Sequence, residues 1–130
     1  MKVGPALLTA ALLALAMTAR AGDVPHVSGG IGADEREELR AKETEYDLKI
    51  VTAATSGDYL AGVRVVIESA ANEPVLETTM DGPILLAKLP PGSYTITATA
   101  GGGTLTQTVT IPAEGLRQVD FRWRPREVTQ

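Results

Sequence analysis

Cysteine is absent from this chain, and histidine, phenylalanine and tryptophan occur once each. Without cysteine there is no disulfide, no thiol nucleophile and no cysteine-based metal site, so the fold must hold by packing alone. A single histidine, His26, makes any serine–histidine–acid arrangement depend on that one position. Its neighbours from Gly22 to Gly32 are mostly Gly, Val, Ser and Pro, with Asp23 and Ile31, and show neither helical nor strand period, a setting with no sign of fixed catalytic geometry.

Long apolar runs are also missing, with one short exception. Met1-Lys2 carries a positive charge, Ala6 to Met17 is apolar except for Thr9, and Ala19-Arg20-Ala21 fits a small-x-small cleavage site. Together these predict a secretory signal peptide over residues 1–21. A retained anchor would need about 20 apolar residues, and Gly4-Pro5 interrupts the start of this run. The mature chain is therefore expected to be periplasmic or secreted. Cleavage after Ala21 removes 21 of the 130 residues, Lys2 and Arg20 among them but no acid, leaving 10 basic against 16 acidic residues and a formal charge of −6. That balance argues against nucleic acid or another polyanion as partner of the molecule as a whole.

The remaining length suits one domain. Residues 22–45 read as an N-terminal arm followed by a short helix. The arm is expected to be an unpaired tail, like most domain ends; the alternative is that Val24, Val27 and Ile31 dock on the domain or on another molecule. Asp34 to Glu43 combines helix formers, acids first and bases last, with Glu38 and Lys42 spaced i,i+4. Leu39 is its one large apolar residue, so the helix should lie across the domain anchored there. The acids lack the loop spacing of a calcium site and read as a solvated face.

From Tyr46 to Arg124 the period changes to two. Seven strands are expected: Tyr46–Ile50, Val63–Glu68, Val75–Met80, Ile84–Lys88, Tyr94–Ala100, Leu105–Ile111 and Val119–Trp123. Turns at Ser56-Gly57-Asp58, Ala70 to Pro74, Asp81-Gly82-Pro83, Leu89 to Gly92, Gly101-Gly102-Gly103 and Pro112 to Leu116 separate them. Short strands at regular spacing with no helix between them predict an all-β fold, a seven-stranded antiparallel β-sandwich over residues 46–124, with a polar tail at 125–130. Its core should hold Leu48, Ile50, Val63, Val65, Ile67, Ile84, Leu86, Tyr94, Ile96, Val109, Ile111, Val119, Phe121 and Trp123. Trp123 is expected to fill the largest core space, the alternative being an exposed sugar-stacking platform.

Three segments carry a family resemblance: Gly57 to Val63, the run Leu89-Pro90-Pro91-Gly92-Ser93-Tyr94-Thr95-Ile96, and Val119 to Trp123. They resemble the carboxypeptidase regulatory-like domains, which are transthyretin-like β-sandwiches. The stretch from Val27 to Gly32 leading into Asp34-Glu35-Arg36 and Tyr46-Asp47-Leu48 is similar to small bacterial secreted proteins of this type. The resemblance implies a structural or binding module rather than an enzyme. Hydroxyisourate hydrolases share the fold, but their several histidines and C-terminal tyrosine-arginine-glycine-serine motif have no counterpart here, where the chain ends Arg126-Glu127-Val128-Thr129-Gln130. The zinc site of the carboxypeptidases belongs to a catalytic domain that has no counterpart either.

The remaining catalytic option is a carboxylate pair, Asp81 with Asp58 or Glu77, of the kind glycosidases use. No catalytic, cofactor or metal residue is expected. The leading expectation is a non-catalytic binding or interaction module for an unknown protein or glycan of the cell envelope. Tyr59 and Leu60 are the candidate contact residues, with turn-anchoring packing as their other role. A carbohydrate-binding module using Tyr59, Tyr94 and Trp123, or a structural or stress-related envelope protein, are the alternatives.

Overall fold

The computed structural model describes residues 23–101 and 103–124; the expected signal peptide and C-terminal tail lie outside the described residues. It contains eight strands, β1 His26–Gly29, β2 Leu48–Ala54, β3 Arg64–Ser69, β4 Pro74–Thr79, β5 Ile84–Ala87, β6 Gly92–Ala100, β7 Gly103–Ile111 and β8 Arg117–Trp123. Among the described residues one helix, α1, spans Ala33–Lys42 and runs into a 3-10 turn at Glu43–Glu45. Two four-stranded sheets form, ordered β1-β5-β2-β8 and β4-β3-β6-β7. No helix among the described residues is long and apolar enough to cross a membrane.

Alternation drives the packing. On β8, Val119, Phe121 and Trp123 point inward while Gln118, Asp120 and Arg122 face out; on β6, Tyr94, Ile96 and Ala98 do the same against Thr95, Thr97 and Thr99. Every residue expected in the core is buried, but Ile84 and Leu86 lie on the outer face of β5 beneath the helix, because β5 turns Leu85 and Ala87 inward instead; Leu76, Met80 and Leu89 complete the packing between the sheets. Trp123 is fully buried, its Nε1 donates to the Gly103 carbonyl at 3.3 Å, and its ring stacks on Phe121 with centroids 6.1 Å apart. That position rules it out as an exposed stacking platform.

Two further features depart from the expected pattern. The arm is no unpaired tail, because His26–Gly29 adds to the edge of the first sheet, antiparallel to β5. Val24 packs on the main core and donates its amide to Val75, Val27 packs beneath the helix, and Ile31 stays exposed. Nor is the sandwich wholly antiparallel: β2 and β8 pair in parallel from Leu48 with Arg117 to Ala54 with Trp123. A parallel pair needs a long crossover, and here nearly the whole domain lies between the two strands.

β5 is buried on both faces. Leu85 and Ala87 enter the core, while Ile84 and Leu86 face outward and are covered by Leu39 of α1, with Val27 and Tyr46 beside them. Helix α1 is thus anchored through Leu39, as the sequence predicts. Its start is tied by Glu35, whose Oε1 accepts the amides of Gly30 at 2.9 Å and Ile31 at 3.0 Å, a variant of the helix-opening box in which the third helical residue reaches back.

The Pro90-Pro91-Gly92 turn is locked from two sides. Gly92 adopts φ 150°, open to glycine. Tyr94 donates its hydroxyl to the Pro90 carbonyl at 2.8 Å, and Asp47 accepts the Leu89 amide at 3.1 Å. Burial of the phenol, then the nearby Asp47 carboxylate, hold the Tyr94 hydroxyl above its ordinary value of 10.0. Folding favours the neutral phenol, so this contribution is complete below about pH 10 and is lost as pH rises through the raised value. Tyr94→Phe is expected to cost about 1 kcal/mol near neutrality and to flatten the alkaline decline, read as urea midpoints of both proteins across the alkaline range. An unchanged alkaline slope would show that other groups set it.

Candidate functional site

Helix α1 covers β1 and β5 but leaves the outer face of β2 and β8 open. The register places Lys49 beside Gln118, Val51 beside Asp120 and Ala53 beside Arg122. Arg36 and Arg40, one helical turn apart, border this open half, and the Gly57–Tyr59 loop closes one end. The result is a groove of about 340 Å³ whose lining includes Arg36, Arg40, Lys49 and Arg122 with a single acid, Asp120. In a chain of formal charge −4 this is a local reversal of sign.

The four cations are held differently. Lys49 Nζ meets Glu43 at 2.6 Å in a pair that is mostly buried. Arg40 contacts Glu37 at 3.2 Å, with both side chains largely in solvent. Arg36 donates to the Gly30 carbonyl at 3.1 Å, and its guanidinium lies 5.7 Å from the centre of the Tyr59 ring, a cation–π contact. Among the described residues no carboxylate lies within 4.0 Å of the guanidinium of Arg36 or Arg122. Asp120 is approached by Gln118, whose Nε2 donates to its Oδ1 at 3.0 Å.

The two predicted contact residues separate in role. Tyr59 is 57% exposed and forms an isolated bridge with Ala53, whereas Leu60 is half-buried against the core. Thr52 fixes Leu60: its carbonyl accepts the Leu60 amide, and its hydroxyl donates to the Leu60 carbonyl at 2.8 Å. Thr52→Val keeps the shape and removes that hydroxyl, so it should cost about 1 kcal/mol and speed amide exchange at Leu60. Exchange at Leu60 unchanged from wild type would show that the backbone bonds alone hold the segment.

Beside the groove, and sharing Arg36 and Tyr59 with it, lies a depression of about 320 Å³ bordered by Ile31, Leu60, Ala61 and Pro83. Ile31, at 64%, and Tyr59 are the two large hydrophobic residues exposed among the described residues.

The other sequence candidates do not assemble. Glu77 sits on β4 in the second sheet, 3.5 Å from Arg64, while Asp58 accepts from Ser56 in the loop after β2. Asp81 offers its amide to Ser28, and none of these three acids lines the groove or the depression. His26 lies in β1 with Nδ1 donating to the Val24 carbonyl at 2.9 Å. Of the aromatic residues considered for sugar stacking, Tyr94 and Trp123 are buried and Tyr59 alone is exposed. No group of three or more potential metal ligands occurs among the described residues.

Sequence reasoning singled out Tyr59, which is exposed, but not the basic side chains around it. Their signal was present as outward alternation on two strands and an i,i+4 arginine pair, but nothing local shows that β2 meets β8. Scanned against models of known families the chain matches none, and no curated protein matches it.

Proposed function

We propose that this chain is a non-catalytic binding and interaction module, exported to the periplasm or secreted, of the carboxypeptidase regulatory-like, transthyretin-like type. The family assignment rests on the Pro90-Pro91-Gly92-Ser93-Tyr94 turn with its hydroxyl-to-carbonyl lock and on the two-sheet sandwich it serves. Export rests on the charged, apolar and small-residue pattern of residues 1–21.

The observation that carries the binding role is the open half of the first sheet. A β-sandwich has no packing need to gather Arg36, Arg40, Lys49 and Arg122 around one groove next to an exposed tyrosine, since like charges in proximity repel. Such a surface gains when an external group neutralises it. Crosslinking with mass spectrometry on the protein in its own cell envelope is expected to yield a reproducible partner whose crosslinks fall on Lys49 and the residues bordering the groove. Crosslinks confined to the second sheet, or none above background, contradict this assignment.

A further inference from the structure

We propose that the groove takes the carboxylates of an extended acidic segment of a partner protein, and that the adjoining depression seats one apolar side chain of the same segment. This rests on the reading of this face as the contact surface and adds the chemistry of its partner.

Charge and hydrogen-bonding geometry argue first. Arg36 and Arg122 present guanidinium forks with no carboxylate within 4.0 Å among the described residues, and such forks match a carboxylate with two parallel bonds. Arg40 is restrained only by Glu37, in a pair exposed at 68% and 72%. Exposed pairs of this kind contribute about 0–1 kcal/mol, so an incoming carboxylate displaces Glu37 at little cost. Lys49 is already neutralised by Glu43 and serves as the floor of the groove.

Continuity argues second. The depression shares Arg36 and Tyr59 with the groove, and its border of Ile31, Leu60, Ala61 and Pro83 offers apolar contact where the groove offers charge. A ligand that fills both is acidic and apolar within a few residues, which is peptide chemistry. A polyphosphate or nucleic acid backbone brings charge to the groove but no aliphatic side chain to the depression. A sugar has little to stack on, because Tyr59, the one exposed aromatic of those considered, already carries the Arg36 guanidinium against its ring.

The test is a titration of isotope-labelled full chain, followed by amide shifts, with acetyl-Glu-Glu-Leu-Glu-Glu-amide and with its glutamine counterpart acetyl-Gln-Gln-Leu-Gln-Gln-amide. The glutamate peptide is expected to give saturating shifts at Ile31, Arg36, Tyr59, Leu60 and Arg122, and the glutamine peptide none. Arg122→Gln should weaken binding about tenfold, the scale of one charged hydrogen-bonding partner, and Arg36→Gln likewise. Arg122 is exposed, so its variant keeps the fold even where Arg36→Gln loosens the arm. Arg64→Gln, in the second sheet, should leave the affinity unchanged. Equal response to both peptides, no saturation, or an equal loss with Arg64→Gln overturns the proposal. Saturation by an oligogalacturonate with the glutamate peptide silent also overturns it, while groove crosslinks that persist alongside peptide silence leave the contact face standing and remove only this ligand class.

Discussion

Trp123→Ala is expected to remove about 3–5 kcal/mol of stability, the largest single loss in the molecule. Trp123 is the largest fully buried side chain, stacked on Phe121 at the end of β8 and hydrogen-bonded to the carbonyl of Gly103 at the start of β7. Its removal opens a cavity between the sheets and leaves that carbonyl without its indole donor. For a domain of this size, whose total stability is on the order of 5–15 kcal/mol, the melting temperature should fall by about 15 °C or more. Trp123→Phe refills most of the volume and should recover more than half of the loss. Calorimetry on the three proteins decides the matter; a fall of only a few degrees for Trp123→Ala would mean that the sheets close over the gap.

Gly82→Ala should be the most damaging change outside the core. Gly82 crosses directly over β1: a Cβ added there would stand 2.4 Å from the Gly29 carbonyl carbon and oxygen. Backbone on both sides leaves no flexible side chain to yield. Overpacking costs about 1–3 kcal/mol, and a backbone clash belongs at the upper end of that range. The strain has a specific outlet, because β1 is an edge strand of four residues. Exchange at amides 26–29 is expected to rise sharply while that of β3 and β6 stays slow. Uniform acceleration through both sheets would contradict a local release of β1, and no acceleration would contradict the clash.

The same contact explains what could not be read from the sequence. Strands with side chains alternating into a core were legible: the positions from Leu48 to Trp123 expected in the core lie between the sheets except Ile84 and Leu86, since β5 is apolar on both faces and its pattern names no inward side. β1 gave no such alternation, since Gly29 packs by backbone under Gly82 and next to the Glu35 carboxylate rather than through a side chain. Gly-Ser composition therefore read as a loose arm where it marks close approach. The parallel β2 and β8 pairing was invisible for a different reason: it joins residues about seventy apart, and neither strand's pattern names its neighbour. Because the groove is built on that pairing, its cations were seen singly, Arg36 and Arg40 as helix surface, Arg122 as an outward strand position.

The candidate site was legible only at Tyr59, an apolar residue in a polar turn. Leu60, its predicted companion, turns inward because Thr52 bonds both its amide and its carbonyl. The pair thus divides, Leu60 packing inward as an anchor and Tyr59 remaining exposed on the proposed contact face.

Site-specific photocrosslinking in the native cell envelope tests the central claim most directly. A benzophenone amino acid replaces Tyr59 in one protein and Thr106, exposed on the second sheet, in another. Capture of one discrete partner from position 59, absent from position 106 and diminished by Arg122→Glu, is the predicted result. Capture from position 106 alone, or equal capture from both that Arg122→Glu leaves intact, would contradict a contact surface on the open half of the first sheet.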